Sequence, residues 1–399
     1  MDKIEELLTR GVDKIYPSKE ELERVLRSGK KLKLYQGFDP TGRELHIGHM
    51  VGLRKLKQWQ DLGHHVIFLI GDGTGQAGDP SGKTTARDRF LTREELRKNA
   101  VDYVKQAGKI VRFEGKNPVE ILFNGDWLNN LNYADILNLF GYFSKQQLSE
   151  RDLFQERAKK GEEVNMREFI YPILQAYDSV VMEVDLELGA TDQTFNMLCG
   201  RTLIKAIKNK DKFVMTTPLL TDSKGVKIGK TEGNIIALND NPNDLFGKIM
   251  ALGDDVIVKG FEYLTDIPMD ELKNIQQSIS AEGNPIKYKK MLAFEIVKQV
   301  NSQEEASKAQ EEFEKTIQKH EAPKDIPVYQ YIGSKQKNIV DLLTQINLAN
   351  SRSQAKQLID QGGVEINGYQ ISNIKYQISI KNGMIIRVGK RKFVRIKTF

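Results

Sequence analysis

Apolar and polar positions along the chain switch between a period of two and a helical period, and the switches mark its elements. Residues 33–38 (KLYQGF) predict a strand. The turn-rich DPTGRELHIGHM then leads into a helix carrying Val51, Leu53, Leu56 and Trp59 at helical spacing. HHVIFLIGD is a continuous apolar run, as in a parallel strand covered on both faces. Strand and helix patterns alternate to about residue 240, among them the strand EILFNGDW and the helix EFIYPILQAYDSVVM. This order predicts an α/β fold on a doubly wound parallel sheet.

Further on the pattern changes. From Leu245 to Lys319 the sequence is helical and charged, which predicts a small helical domain. HEAPKDIPVYQYIGSKQK sets two prolines among polar residues and reads as a linker. The tail opens on the helix NIVDLLTQINL, and Ser351 caps a second helix, RSQAKQLIDQ, which Gly362 and Gly363 stop. An Asn-Gly turn in VEINGYQI and the alternation in MIIRVGKRKFVRIKTF predict hairpins, so the tail is α+β. The expected divisions are a sheet domain at 1–240, a helical domain at 241–325, a linker at 326–337 and a terminal domain at 338–399.

Charge changes this picture more than composition does. With 399 residues, 39% of them hydrophobic, the chain is long enough for more than one core. Its net charge of +6 is uneven: residues 331–399 hold 12 Lys and Arg against 3 Asp and Glu, so the rest is mildly acidic. Clustered basic charge of this kind points to a polyanion partner such as nucleic acid. No apolar run approaches the ~18–20 residues that span a bilayer. The acidic, amphipathic start carries no apolar signal core, so a cytoplasmic location without a membrane partner is expected. The single cysteine, Cys199, excludes an internal disulfide and a thiolate metal cage.

Two glycine motifs mislead. Gly73-Thr-Gly-Gln-Ala-Gly78 satisfies G-x-G-x-x-G after a strand, but Asp79-Pro80-Ser81-Gly82 follows instead of an apolar helix. Gly82-Lys83-Thr84 imitates a phosphate-binding loop, but Ala77 stands where its first glycine belongs. His46-Ile47-Gly48-His49 is better placed, at a helix start after a strand. Free amides and the positive dipole end favour phosphate there, Gly48 admits a close approach to the backbone, and the imidazoles can donate to phosphate oxygens. No third ligand accompanies the two histidines, so no metal centre is expected. About 180 residues later, Lys227-Ile228-Gly229-Lys230-Thr231 offers two lysines and a hydroxyl suited to clamping a triphosphate.

These two elements resemble the signature motifs of class I aminoacyl-tRNA synthetases. The first matches in full; the second keeps both lysines and a hydroxyl. Tyr35-Gln-Gly-Phe-Asp-Pro-Thr41 is similar to the tyrosyl and tryptophanyl branch. Gly78-Asp-Pro-Ser-Gly82, Tyr171-Pro-Ile-Leu-Gln175-Ala-Tyr-Asp178 and Asp192-Gln-Thr-Phe-Asn196 resemble its bacterial tyrosyl members. The likeness runs through residues 30–235, and the tail from 338 looks like an S4-type RNA-binding domain. It implies a Rossmann-like catalytic domain, a helical domain and an S4-like domain. The activity implied is two-step charging of tRNA with tyrosine through tyrosyl-adenylate, with ATP carrying Mg²⁺, in a cytoplasmic homodimer. A silent tyrosine- or RNA-binding paralogue and a tryptophan ligase are the alternatives.

The resemblance also assigns residues. Tyr35 and Asp178 would meet the phenol, and Asp79, Tyr171 and Gln175 the ammonium. Gln193 and Asp192 would face the carboxylate and ribose. Asp39, Thr41, His46, Gly48 and His49 would hold ATP. Lys83, Arg87, Lys227, Lys230 and Thr231 would bring charge to the departing pyrophosphate, and Asn124 would support the site. Arg352, Lys356, Lys390, Arg391, Lys392 and Arg395 would contact tRNA. Tyr171, Gln175 and Asp178 also fall at i, i+4, i+7, one face of one helix. Gln36 and Ala190 depart from the family pattern near the ribose.

Overall fold

The computed structural model describes residues 2–81, 89–228, 235–282, 284–315, 326–389 and 392–398. They form two compact units, residues 1–303 and 304–399. The first is built on six strands: β1 (Lys14–Tyr16), β2 (Lys33–Phe38), β3 (His65–Ile70), β4 (Glu120–Phe123), β5 (Leu186–Ala190) and β6 (Phe213–Thr217). Their order is β1-β6-β5-β2-β3-β4. β2 through β6 are mutually parallel, and β1 adds an antiparallel edge. Five of the six residues of β3 are buried, as its unbroken apolar run requires. The α/β sheet is the one expected from the alternating pattern.

Chain connectivity reverses direction between β2 and β5. From β2 the strands step outward through β3 to β4; from β5 they step the other way to β6. A crevice at the carboxyl ends of two such strands is where open α/β sheets bind ligands. The helices Ile47–Asp61 and Met166–Met182 follow β2 and precede β5, so they flank that crevice.

Two expected boundaries move. The helices Pro242–Met250, Ile257–Leu264 and Ile286–Val300 belong to the same compact unit as the sheet. Polar cross-ties explain why: the buried Arg10 guanidinium donates to the carbonyls of Phe261, Thr265 and Ile267. Arg54 likewise reaches Asp266 at 2.6 Å. Residues 326–337, read as a linker, instead supply β7 (Val328–Tyr331) and the start of β8 (Gln336–Asn338).

In the second unit, β9 (Val364–Ile366), β10 (Tyr369–Gln370), β12 (Ile385–Val388) and β13 (Lys392–Thr398) join β7 in the order β10-β9-β12-β13-β7. β11 (Gln377–Ser379) pairs separately with β8. Asn367 and Gly368 both take positive φ, 51° and 84°, and close the β9–β10 hairpin as the Asn-Gly signal predicts. The helices Ile339–Gln345 and Arg352–Asp360 pack Leu342, Leu343, Ala355 and Ile359 into a core with Ile386 and Ile396.

Candidate active site

A cleft of about 520 Å³ opens at the crevice between β2 and β5. That is ample for an amino acid joined to a nucleotide. Of the residues singled out from the sequence, Asp39, Thr41, His46, Gly48, His49, Asp79, Asn124, Tyr171, Gln175, Asp178, Asp192, Gln193 and Lys227 all line it. They come from positions far apart in the chain, and the sheet order brings them together. Gln36 and Ala190 line it too.

The deep end is built around Asp178, which is 1% exposed. Its Oδ1 accepts from Trp127 Nε1 at 2.8 Å, and its Oδ2 from Asn124 Nδ2 at 3.0 Å. Asn124 cannot turn over, because its Oδ1 accepts from the Gly73 amide at 2.8 Å. Burial pushes the Asp178 carboxyl well above its usual range, while the two donors oppose that rise. Tyr171 on the same helix donates to Asp39 Oδ2 at 3.0 Å, and Thr74 donates to Asp39 Oδ1 at 2.7 Å.

Tyr35 lies buried near this end, where burial and the neighbouring Glu187 and Asp178 charges push its hydroxyl well above the usual range. Its hydroxyl is buried and meets Ser179 Oγ at 3.2 Å, and it is not among the described residues lining the cleft. Trp127, which donates to Asp178, went unread in the sequence.

At the other end, His46 caps the helix Ile47–Asp61. Its Nδ1 accepts from the Gly48 amide at 3.1 Å, and His49 Nδ1 accepts from the His46 amide at 3.1 Å. In the neutral rings this places both protons on Nε2. The two rings lie 3.9 Å apart. Gly48 is required here: a Cβ would come within 2.9 Å of the His46 ring.

Between these ends, Gln193 Nε2 donates to Asp79 Oδ2 at 2.7 Å, and the Ser81 amide caps Asp79 Oδ1 at 2.9 Å. Lys227 reaches across to Asp192 at 2.7 Å. Lys83, Arg87, Lys230 and Thr231 lie outside the described residues, as do Lys390 and Arg391 of the second unit. In that unit Arg352, Lys356, Lys392 and Arg395 are exposed, with Arg352 paired to Asp341 at 2.5 Å.

Residues 27–318 match the family model of class I tRNA synthetases (W and Y), and residues 318–396 match a tyrosine–tRNA ligase SYY-like C-terminal domain. The chain belongs to the class I tRNA synthetases of the tryptophan and tyrosine group. It is 42% identical over 392 residues to the tyrosine–tRNA ligase of Thermotoga maritima, covering 98% of this chain and 96% of that one. To the tyrosine–tRNA ligase of Aquifex aeolicus it is 38% identical over 378 residues, 94% of each. Among solved structures, the truncated mitochondrial tyrosyl-tRNA synthetase of Coccidioides posadasii superposes with a TM-score of 0.65 at 23% identity, over 78% of this chain and 91% of that one. The Archaeoglobus fulgidus tyrosyl-tRNA synthetase complexed with L-tyrosine gives 0.60 at 19% identity, over 77% and 100%. At such identities these two show the fold.

In this synthetase a buried ion pair, whose Glu187 lines the cleft, was missed by sequence reasoning. Glu187 on β5 pairs with Lys212, and both are 1% exposed. Burial pushes the Lys212 ammonium down, and Glu187 opposes that shift. One signal was available: a glutamate inside the otherwise apolar strand LELGA.

Proposed function

We propose that this synthetase activates tyrosine with ATP and transfers it to tRNA. The observation that carries the reading is Asp178, a buried carboxylate held by two donors at the closed end of the cleft. It accepts a hydrogen bond from a phenol, and phenylalanine would leave it without that donor. The tyrosine ligases similar to this chain over its whole length support the choice of amino acid.

Asp79, Tyr171 and Gln175 hold the tyrosine ammonium, while Gln193 and Asp192 face its carboxylate and the ribose. Asp39, Thr41, Gly48 and the two Nε2–H groups of His46 and His49 take the nucleotide and its phosphates. The tyrosine carboxylate attacks the α-phosphate in line, pyrophosphate leaves, and the terminal ribose of tRNA then attacks the adenylate. No covalent enzyme intermediate is needed. Negative charge builds on the leaving pyrophosphate, and positioned donors and cations stabilise it there. Lys227 must leave Asp192 to serve, joined by Lys230, Thr231, Lys83 and Arg87.

Mg²⁺ enters on the triphosphate as part of the substrate; among the described residues no cluster of three His, Cys, Asp or Glu is placed to hold a cation. The exposed cations Arg352, Lys356, Lys392 and Arg395, with Lys390 and Arg391, bind tRNA. The working form is a cytoplasmic homodimer. Supporting this, Tyr133, Leu137, Phe140 and Tyr142 expose an apolar patch on and just after the helix Tyr133–Phe140. No helix among the described residues is long and apolar enough to cross a membrane.

The test is amino-acid-dependent ATP–pyrophosphate exchange with tyrosine, tryptophan and phenylalanine, followed by tRNA charging. Exchange with tyrosine alone is expected. Exchange with tryptophan alone would assign the sibling activity that the family description leaves open. No exchange at all would overturn the enzymatic reading.

A further inference from the structure

Glu187 lines the cleft and forms a buried ion pair with Lys212, whose desolvation cost is offset only by good geometry and further hydrogen bonds. Lys212 Nζ pairs with Glu187 Oε2 and also donates to Ser179 Oγ at 2.8 Å. Ser179 Oγ takes the Tyr35 hydroxyl at 3.2 Å and hands its own proton to Glu187 Oε2 at 3.4 Å. This group occupies Oε2. The other oxygen, Oε1, accepts from Gln175 Nε2 at 2.9 Å.

An ionised carboxylate only accepts. Gln175 must therefore turn its NH₂ toward Glu187 and its carbonyl oxygen away from it. That oxygen is buried, and no described residue donates to it. Gln175 lines the cleft together with Tyr171 and Asp178, its neighbours on the same helical face.

We propose that the buried Lys212–Glu187 pair is an orientation lock, fixing the Gln175 amide so that an acceptor meets the substrate's ammonium group. Glu187 and Lys212 are thus positioning residues that select ligands bearing a free ammonium. The inference rests on the reading that the cleft takes tyrosine. The substitution Glu187→Gln exposes the logic. With Lys212 present, the single oxygen of the introduced amide goes to the lysine and its NH₂ faces Gln175. The Gln175 amide then turns over and points N–H bonds at the ammonium. Removing Lys212 as well frees that introduced oxygen to face Gln175, which restores the original orientation without either charge.

The test uses the full-length chain and three probes: tyrosine, tyramine and 3-(4-hydroxyphenyl)propionate, the last without an ammonium. Binding is measured directly, and the tyrosine KM in pyrophosphate exchange is compared with kcat. Glu187→Gln should weaken tyrosine and tyramine roughly tenfold to a hundredfold, the value of one charge-assisted hydrogen bond. The effect falls on KM more than on kcat, and the propionate is spared. Glu187→Gln with Lys212→Met should recover ammonium selectivity, whereas Glu187→Leu with Lys212→Met should lose it. These two doubles are both uncharged, so they keep the comparison intact if the single variant does not fold. Equal weakening of all three probes, or no difference between the doubles, overturns the lock while tyrosine activation stands. A wild-type chain that neither binds tyrosine nor exchanges with it overturns both.

Discussion

Asp178→Asn removes a charge with almost no change of volume, and the surrounding hydrogen bonds set its cost. Trp127 Nε1 and Asn124 Nδ2 both donate to this side chain, and Asn124 is held in place by the Gly73 amide. An asparagine has one acceptor oxygen, so its NH₂ must oppose one of the two donors. That penalty is present with and without substrate and largely cancels in catalysis. What does not cancel is the bond from the phenol to a charged acceptor, about 1.5–3 kcal/mol. The tyrosine kcat/KM should therefore fall roughly tenfold to 150-fold. Phenylalanine makes no such bond, and it no longer packs against a buried carboxylate. Its kcat/KM should hold or rise, so the tyrosine-to-phenylalanine ratio falls by at least the same factor. Pyrophosphate exchange with each amino acid gives the ratio, and thermal unfolding shows whether the variant is folded. A ratio within twofold of wild type in a folded variant would refute Asp178 as the phenol reader.

Three further outcomes are expected. Burial holds Lys55 down to about 7, against about 10.4 in an unfolded chain, so between those values the unfolded chain carries the extra proton. Stability should accordingly rise with pH from about 7 toward 10, and Lys55→Met should flatten that slope; denaturant titrations at three pH values decide it. Lys227→Ala removes an exposed ion pair and should shift stability by less than about 1 kcal/mol. It should nevertheless slow single-turnover adenylate formation by about tenfold or more; an unchanged rate would exclude Lys227 from the chemistry. Reversing Lys356, Lys392 and Arg395 to glutamate should weaken tRNA binding and reduce its salt slope by roughly 3, while leaving pyrophosphate exchange intact. An unaltered slope would place the tRNA elsewhere.

Where chemistry was tied to local spacing, the sequence announced it. Tyr171, Gln175 and Asp178 share a helical face because their separations fit the helical period, and the structure lines all three along the cleft. His46 and His49 can be read as caps or as phosphate ligands, and the geometry reconciles the two: capping uses Nδ1 and leaves the proton on Nε2. Contacts made by strand order were not legible. Ser179 and Tyr35 lie 144 residues apart, and Glu187 and Lys212 lie 25 apart, so neither pairing follows from spacing. One proline misled at 326–337. Pro327 stands just before Val328, the first residue of β7 at the sheet edge, where a missing N–H is tolerated.

The way each sheet closes bears on how the chain folds as it is made. β1 pairs Lys14 with Thr216, so the first strand of the catalytic sheet waits for roughly two hundred residues before its neighbour exists. In the second unit β7 pairs with β13, Tyr331 opposite Thr398, a partner about 67 residues further along. Neither sheet can be completed by a growing polypeptide until its final strand has left the ribosome. β7 in particular presents an unpaired edge until β13 has been made. A product that stops before β13 would therefore carry a finished catalytic sheet and an open, association-prone β7, and removal of residues 392–398 should make β7 the point where aggregation begins.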